Sequence, residues 1–303
     1  MSVVRVGVIG AGAVGQSVAA ALIASGVADR VLVASRTREQ AAALAADLDD
    51  MRQAAGSSVR PRACDIAELV TCDAVVIAVR AAFTNTRRGD VRMGGAAANA
   101  PVITALAGTL GGYPGTVLIV TNPVDLMTRL FAEVSGCVRV FGIGSNLDTA
   151  RYRLALAAIL GVHPRSVRGH VIGEHGDGAV ICASATTVGG RAVDVPLRRI
   201  HEELRSRPGR IATGVGRTRA GPAGAVLSAL RKSLALTDGV EELSVRHGDT
   251  WLGKPVRFTA GHPMAFLPDL DAREQRRLDA TSLRLRDAHH VLRTAPGPEE
   301  RTT

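Results

Sequence analysis

Short apolar-rich runs alternate with longer amphipathic segments through the first half of the chain. The first run, residues 3–9, has the β-branched composition of a buried strand, and residues 14–25 keep a helical pattern that ends at Gly26. Strand-like runs separated by helix-like segments indicate βαβ units and a parallel sheet. Further strands are predicted at 31–34, 74–79, 117–120 and 138–143, and a second helix at 39–50.

The pattern changes after Gly144, which we take as the boundary between two domains. A dinucleotide-binding domain is predicted for residues 1–144 and a catalytic domain for residues 145–294, and residues 295–303 are predicted to be a disordered tail. Within the second domain the pattern predicts helices at 147–160, 225–236 and 271–293, a charged helix through Leu197 and Leu204, strands and turns over 167–190, and a turn-rich stretch at 246–261.

The composition narrows the classes of function. Apolar residues make up 46% of the 303 residues, which is enough for a substantial core, whereas aromatic residues make up only 3%. The formal net charge is +9, and nearly all of the basic residues are arginine. Nucleic-acid partners would suit a basic chain, but they also need aromatic side chains for base stacking. We therefore expect no nucleic-acid partner.

The chain carries no evident signal for membranes, secretion or metals. No apolar run reaches the length of a membrane-spanning helix, and the first residues lack the basic region and cleavage site of a secretory signal. The four cysteines are scattered without a CxxC pair, and zinc sites need clustered ligands, so no metal site is expected. A cytoplasmic protein with reduced thiols is the simplest interpretation.

A glycine-rich loop, GAGAVG, joins the first predicted strand to the first predicted helix. Gly10 suits a tight turn, Gly12 leaves room for a pyrophosphate, and Gly15 allows the helix to pack closely on the strand. The helix start at Ala13 and Val14 presents free N–H groups and a favourable dipole to phosphates. We predict that these five residues bind a dinucleotide. The predicted fold class is α/β, with a Rossmann doubly wound parallel sheet and a second α+β catalytic domain.

The residues after the second predicted strand indicate which dinucleotide binds. An NAD(H)-binding domain places an acidic residue there, where it binds the ribose hydroxyls. This chain has Ser35, Arg36 and Thr37 instead, and a guanidinium with two hydroxyl neighbours suits a 2′-phosphate. We therefore predict NADP(H) as the cofactor, bound in part by these three residues. The alternative is that they cap the next helix and are solvated surface residues.

Four further segments follow the glycine loop in a specific order. An arginine-bearing loop lies at 87–92, and then come TNPVD at 121–125, LDTARYR at 147–153 and GEHGDG at 173–178. Together with GAGAVG, they make the chain resemble the lactate/malate dehydrogenase family over essentially its whole length. The residues after the second strand make it resemble a divergent NADP-type member.

The resemblance implies a role for each of five residues. His175 would carry the exchanged proton, which suits an imidazole with an ordinary pKa near 6.5. Asp148 would pair with His175 and favour its protonated form, and Arg151 would bind the substrate carboxylate. Asn122 would hydrogen-bond the reacting oxygen and also contact the cofactor. Arg92 would lie on a mobile lid that closes over the substrate and polarises its carbonyl group.

The lid and the substrate pocket depart from the family pattern. The lid segment is longer than is usual, and the position that selects the substrate falls at Thr86 or Arg87. An arginine at 87 or 88 would suit a dicarboxylate, and the alternative is ordinary solvated loop charge. Thr218 matches a family threonine beside the substrate side chain, and small residues at 220–222 enlarge the pocket. These departures predict a substrate larger than pyruvate or oxaloacetate.

These observations predict an NADPH-dependent reductase of a 2-oxo acid, in which NADPH gives a hydride to the carbonyl carbon and His175 gives a proton to its oxygen. Three alternatives stay open: a malate dehydrogenase with relaxed cofactor choice, a reductase of a cyclic imine that bears a carboxylate, and a nucleotide-sensing binding protein without turnover. The resemblance also implies a homodimer or homotetramer.

Overall fold

The first half of the chain builds a parallel sheet in the computed structural model, which describes residues 3–87 and 90–294. Arg88 and the predicted disordered tail at 295–303 therefore lie outside the described residues. Most of the strands are short, β-branched and buried, as buried parallel strands are. They are β1 (Arg5–Ile9), β2 (Arg30–Ala34), β3 (Arg60–Ala63), β4 (Ala74–Ile77), β5 (Thr116–Ile119) and β6 (Val140–Ile143).

The strands lie in the order β3-β2-β1-β4-β5-β6, and every neighbouring pair is parallel. The direction of the strand order reverses between β1 and β4, which opens a crevice at the carboxyl ends of these strands. The predicted α/β fold with a Rossmann sheet is confirmed. Of these six strands, the pattern missed only the edge strand β3, because its sequence RPRA is half charged and lacks the apolar character of the other five.

Eight helices are described, and four of them have glycine at the C-cap. The first helix ends at Gly26, which adopts the left-handed conformation that glycine favours, as the pattern predicts. The helices are α1 (Ala13–Ser25), α2 (Arg38–Ala54), α3 (Ala96–Thr109), α4 (Val124–Ser135), α5 (Ser145–Leu160), α6 (Leu197–Val215), α7 (Ala220–Ser233) and α8 (Ala272–Thr294).

The second half of the chain extends the same sheet with antiparallel strands. These are β7 (Val167–Arg168), β8 (Val171–Gly173), β9 (Ala179–Ile181), β10 (Thr187–Val188), β11 (Arg191–Ala192), β12 (Gly239–His247), β13 (Thr250–Thr259) and β14 (His262–Ala265). β12 joins β6 to β13, and β13 joins β8, which pairs with β9. β14 also pairs with β13, and β7, β10 and β11 form a separate small sheet.

The prediction of a turn-rich stretch at 246–261 is wrong. These residues form most of the hairpin of β12 and β13, whose two strands pair from Gly239 opposite Phe258 to His247 opposite Thr250. The glycines of this stretch are typical of turns, but Gly253 lies inside β13. A Cβ atom there would overlap the Ser145 side chain, so glycine at this position serves packing against α5.

The buried residues lie on both faces of the sheet, as the alternation of side chains along a strand requires. Val6 and Val8 of β1 belong to one apolar cluster and Ile9 to the cluster on the other face. A third cluster packs around Tyr152 of α5. Among the described residues, no helix is long and apolar enough to cross a membrane, and no three His, Cys, Asp or Glu side chains are grouped to hold a metal ion.

Candidate active site

A cleft of about 920 Å³ runs from the glycine loop to His175. It follows the carboxyl ends of the parallel strands at the reversal of strand order, where open α/β sheets bind their ligands. The predicted site residues that line it are Gly10, Gly12, Ala13, Val14, Ser35, Arg36, Arg92, Asn122, Arg151, His175 and Thr218. The predicted residues outside the described lining are Gly15, Thr37, Thr86, Arg87 and Asp148.

The glycine loop is shaped so that a ligand can approach its backbone. Gly10 has a φ of +117°, and a Cβ atom there would lie 2.7 Å from the carbonyl oxygen of Ala78. A Cβ atom on Gly15 would overlap the carbonyl oxygen of Gly10, so Gly15 lets α1 pack on β1 rather than lining the cleft. A Cβ atom on Gly12 would meet no protein atom within 4 Å. The open space beside Gly12, at the start of α1, fits the pyrophosphate of a dinucleotide.

The residues after β2 divide between the cleft and the next helix. Arg36 and Ser35 line the cleft, and the Ser35 hydroxyl lies 3.1 Å from Oε1 of Gln40. Thr37 is the N-cap of α2, where its hydroxyl oxygen accepts the N–H of Gln40 at 3.2 Å. The structure thus places Thr37 in the capping role that we considered as the alternative. Asp47, further along α2, is the carboxylate that lines this end of the cleft in the described part of the chain.

His175, Asp148 and Arg151 form a hydrogen-bonded chain at the other end of the cleft. The Nδ1 atom of His175 lies 2.6 Å from Oδ2 of Asp148, and Nη1 of Arg151 donates to Oδ1 of Asp148 at 3.3 Å. His175 and Asp148 are each 8% exposed and Arg151 is 6% exposed, so the chain is shielded from solvent. Because Nδ1 is engaged with Asp148, Nε2 of His175 is the ring nitrogen that can exchange a proton with a substrate.

Burial and charge act in opposite directions on this pair. Burial lowers the pKa of His175 below its ordinary value; the positive charge of Arg92 adds to the effect, whereas Asp148 opposes it. Burial alone would raise the pKa of Asp148, but the charges of His175, Arg92 and Arg151 outweigh it, so this pKa is lowered. Asp148 is therefore a carboxylate at neutral pH. An anion bound beside Arg92 and Arg151 would offset their charge and favour the protonated imidazole.

Two residues that sequence reasoning did not single out fix the position of His175. Asp125, fully buried at the start of α4, accepts the backbone N–H of His175 at 2.9 Å, and burial raises the pKa of its carboxyl group to about 6. A Cβ atom on Gly144 would lie 2.6 Å from Cβ of His175. Asp125 is the last residue of TNPVD, so a signal was present, but only the fold shows that it reaches the loop of His175.

Asn99 connects the loop of Asn122 to the root of the lid. Its side-chain Nδ2 donates to the carbonyl oxygen of Asn122 at 2.8 Å, and its Oδ1 accepts the N–H of Ala81 at 2.8 Å. Asn99 is buried on α3. The position of the Asn122 backbone at the cleft thus depends on a residue from another element.

The lid lies against the loop that carries His175. Arg92 occupies a short 3₁₀ turn, Val91–Gly95, which begins after Asp90. The N–H of Asp90 donates to the Asp177 carboxylate at 2.9 Å. This hydrogen bond holds Arg92 on the side of the cleft where its charge acts on both His175 and Asp148.

The described part of the lid contributes Phe83 and Asn85 to the cleft lining, not the predicted Thr86 and Arg87. Thr86 and Arg87 are exposed and do not line the described cleft, whereas Phe83 and Asn85 do. The Asn85 side chain donates to the carbonyl oxygen of Val91 at 2.7 Å and accepts the N–H of Arg87 at 3.2 Å. These bonds fold the lid so that Asn85 rather than Arg87 faces inward.

The wall opposite the lid comes from α6, α7 and the loop between them. Thr218 lines the cleft there, together with Pro208, Arg217 and Pro222. Sequence reasoning matched Thr218 to the family pattern and passed over Arg217, although the segment reads RTRAGPAG. The arginine carries a full positive charge into a wall that is otherwise neutral.

Two family descriptions match consecutive parts of the chain. The family description "lactate/malate dehydrogenase, NAD binding domain" matches residues 4–142, and "lactate/malate dehydrogenase, alpha/beta C-terminal domain" matches residues 145–205. An L-lactate dehydrogenase of Treponema denticola is 34% identical to this chain, over 94% of this chain and 96% of the relative.

Two solved structures show the fold. A lactate dehydrogenase, MGS-M5, from a Medee basin deep-sea metagenome library superposes with a TM-score of 0.89 at 22% identity, covering 97% of this chain and all of that one. The malate dehydrogenase of Cryptosporidium parvum superposes with a TM-score of 0.87 at 23% identity, covering 97% of this chain and all of that one. The chain belongs to the lactate/malate dehydrogenase family, as a 2-hydroxy acid dehydrogenase that uses a nicotinamide cofactor.

Proposed function

We propose that this protein is an NADPH-dependent reductase of a 2-oxo acid larger than pyruvate. The observation that carries the proposal is that one cleft joins the glycine loop to the buried chain of His175, Asp148 and Arg151. A cofactor held at one end and a carboxylate held at the other would bring a reacting carbon between them. Such positioning is a large part of catalysis.

Each polar side chain at the substrate end has a task in this reaction. A reduced nicotinamide cofactor, when bound, supplies the hydride. Arg151 binds the carboxylate of the 2-oxo acid through two N–H groups. Arg92 and Asn122 donate to the carbonyl oxygen and stabilise the charge that develops there. His175 transfers the proton from Nε2 to this oxygen, and Asp148 holds the imidazole ring and stabilises its charged form.

The preference for NADPH follows from the residues at the end of β2. Arg36 lines the cleft there and Ser35 adds a hydroxyl group, whereas the acidic residue typical of NAD(H) binding is replaced. A guanidinium attracts a 2′-phosphate and forms paired hydrogen bonds with it. Thr37 contributes less, because its hydroxyl oxygen already caps α2.

The size of the substrate follows from the wall beside Thr218. Pro222 of α7 lines the cleft on this wall, its neighbour Gly221 has no side chain to fill the space, and Phe83 and Asn85 line the cleft from the lid. We place the enzyme in the cytoplasm, because all four cysteines are buried and free. We also propose a homodimer or homotetramer, which the family resemblance implies.

The proposal is tested by comparing cofactors and substrates in one assay. We expect kcat/KM with NADPH to exceed that with NADH by about tenfold or more, since one charge-assisted contact contributes about 1.5–3 kcal/mol. Arg36→Ala should remove most of this ratio. Arg38→Ala is the matched control, because Arg38 is exposed, pairs with Asp65 and lies outside the described cleft lining.

The outcomes separate the alternatives. A tenfold preference for NADH, or a ratio unchanged in Arg36→Ala, would contradict the assignment of NADPH. A highest kcat/KM for pyruvate would contradict the larger substrate and favour an ordinary lactate dehydrogenase. Turnover of cyclic imino acids alone would favour the imine reductase. Tight cofactor binding without turnover of any 2-oxo or imino acid would favour a nucleotide-sensing protein.

A further inference from the structure

The turn that carries His175 is attached to α8, a helix that does not line the described cleft. Residues 174–178 join β8 to β9, and Glu174 directly precedes His175. The Glu174 side chain is 3% exposed, and its cationic partner in the described part of the chain is the Arg284 guanidinium of α8. A carboxylate buried to this extent is costly unless a cation pairs with it, so the turn depends on α8 for that charge.

Two hydrogen bonds fix the far end of the same turn. The Thr281 hydroxyl of α8 donates to the carbonyl oxygen of Gly178 at 3.0 Å. The N–H of Gly178 donates to Oε2 of Glu174 at 3.1 Å, and this is also the oxygen that Arg284 contacts. The residue before His175 and the residue that ends its turn are therefore both bonded to one helix.

Gly178 leaves the space in which these groups meet. A Cβ atom there would overlap Nη2 of Arg284, and it would lie 2.6 Å from Oε2 of Glu174 and 3.0 Å from Cγ2 of Thr281. Gly178 does not have a positive φ, so its backbone conformation is open to other residues. Packing around the ion pair, rather than backbone geometry, therefore requires glycine at this position.

The helix that presents Arg284 is anchored to the core. Leu278 and Leu285 of α8 are buried in the apolar cluster that also contains Ile9 of β1. Thr281 lies between them at helical spacing, so these three side chains share one face of the helix. Arg284 follows Thr281 by three residues and lies beside this face. Its cation is therefore held by an element that packs against the sheet.

We propose that Arg284 is a positioning residue, which fixes the turn of His175 through Glu174 and so determines where the Nε2 atom meets the substrate. Asp148 orients the His175 ring and Asp125 accepts its backbone N–H, whereas Arg284 fixes the residue before it. The inference rests on the proposed function, because it requires that His175 transfers the proton. Displacement of a reacting group by about 1 Å can lower a rate by about 100-fold, so the attachment to α8 affects the rate of reduction.

The experiment measures the single-turnover rate of cofactor oxidation in the wild-type protein and in Arg284→Gln. Each protein is loaded with the reduced cofactor that the wild type prefers and is mixed with pyruvate, oxaloacetate or 4-methyl-2-oxopentanoate, of which the fastest is used for all variants. We expect Arg284→Gln to lower the rate per cofactor site by about 100-fold and to change the cofactor dissociation constant by less than about threefold. A loss of folded protein would lower the number of cofactor sites but not the rate per site.

Two further variants separate the ion pair from other effects of the substitution. Arg284→Lys keeps a cation beside Glu174 and should be at least about tenfold faster than Arg284→Gln, because the buried carboxylate stays paired. Gly178→Ala keeps both charges but places a Cβ atom against them, so it should also lower the rate per site. The two losses should be less than additive in the double variant Gly178→Ala/Arg284→Gln, because both act on one contact. Gly178→Ala also keeps the inference testable if Arg284→Gln does not fold.

Arg286→Gln is the matched control. Arg286 lies two residues further along α8 and pairs with the exposed Asp249 at 2.8 Å, so this variant also removes one ion pair of the helix. The Arg286–Asp249 pair does not involve the turn of His175, and we expect the rate per site and the cofactor dissociation constant to stay at their wild-type values. The thermal unfolding midpoint of each variant sets an assay temperature at which all of them are folded.

Three results would overturn the inference alone: an unchanged rate per site in Arg284→Gln, an equal loss in the control Arg286→Gln, or fully additive losses in the double variant. Equal losses in Arg284→Lys and Arg284→Gln would also overturn it, because the charge on residue 284 would then have no effect. No turnover of any of the three 2-oxo acids by the wild-type protein would contradict the proposed function as well, and the assay thus distinguishes the two failures.

Discussion

The two ends of the cleft are built in different ways. Most of the nucleotide end comes from consecutive residues of β1, the glycine loop and α1, to which Ser35 and Arg36 are added after β2, and its shape depends on backbone atoms around Gly10, Gly12 and Gly15. The substrate end is assembled from side chains on segments scattered between Arg92 and Thr218, which only the fold brings together. Local sequence therefore determines the first end, and tertiary packing determines the second.

The two ends of the cleft also differ in whether their charged side chains are buried. At the nucleotide end the ligand meets N–H groups and small side chains, and the charged side chains that line it, Arg36 and Asp47, are exposed. At the substrate end three groups, His175, Asp148 and Arg151, are charged or chargeable and buried. Buried charge is costly unless it is paired, so this end depends on each partner being present.

The largest effect is expected where one partner of a buried pair is neutralised. Asp148→Asn removes the charge that favours the protonated form of His175 and reverses one hydrogen bond of its ring. We expect kcat/KM for reduction to fall by about 10³–10⁴-fold, by analogy with the loss of the acid that orients a catalytic histidine. The dissociation constant of the cofactor should be unchanged, because Asp148 does not line the described cleft.

The pH dependence of kcat/KM should also change in a definite direction in Asp148→Asn. Reduction needs protonated His175, whose pKa burial holds below its ordinary value, so kcat/KM falls as pH rises through that pKa. Without the Asp148 charge, this pKa moves further down and the fall occurs at lower pH. Asp194→Asn, at an exposed position, is the control. A variant that keeps its rate, or whose profile moves to higher pH, would contradict the role of Asp148.

The contrast between the two ends also explains what the sequence could predict. Strands β1, β2, β4, β5 and β6 and the glycine loop were predictable because each depends on neighbouring residues. The meeting of His175 with Asp148 and Arg151 was predictable only through the family resemblance. The capping role of Thr37 and the inward position of Asn85 depend on hydrogen bonds that composition does not reveal.

Because backbone atoms shape the nucleotide end, we expect a methyl group added to one of its glycines to have an effect that depends on the space around that glycine. Gly15→Ala forces a Cβ atom into the Gly10 carbonyl, and we expect it to destabilise the fold by about 3 kcal/mol, as overpacking does. Gly12→Ala meets no protein atom, so it should leave the unfolding midpoint unchanged and raise the cofactor dissociation constant about tenfold or more. Thermal unfolding and equilibrium binding measure the two effects separately.

Gly108→Ala is the matched control for both variants. Gly108 lies in α3, away from the cleft, and a Cβ atom there meets no atom within 4 Å. It should leave cofactor binding unchanged and stabilise the helix by up to about 1 kcal/mol. If Gly12→Ala and Gly15→Ala gave the same pattern of effects, the separation of packing from ligand space within the loop would be wrong.

A smaller effect is expected at Asp125, where a buried carboxyl group at the substrate end lowers the stability of the fold. Burial raises the folded-state pKa of this carboxyl group from 3.8 to about 6, so its contribution to stability is full below about pH 4 and is lost as pH rises through about 6. Asp125→Asn cannot ionise but retains an oxygen that accepts the N–H of His175. At pH 7 we expect the variant to be more stable than the wild-type protein by at most about 3 kcal/mol.

Urea unfolding of the two proteins between pH 4 and pH 8 measures this difference directly. The stability of Asp125→Asn relative to the wild-type protein should increase from pH 4 to pH 6 and then level off, whereas Asp194→Asn should show no such increase. A difference that is constant with pH would mean that Asp125 does not titrate in this range. If the variant were more stable and slower in reduction, the charge of Asp125 would serve the position of His175 at the expense of the fold, as active-site residues often do.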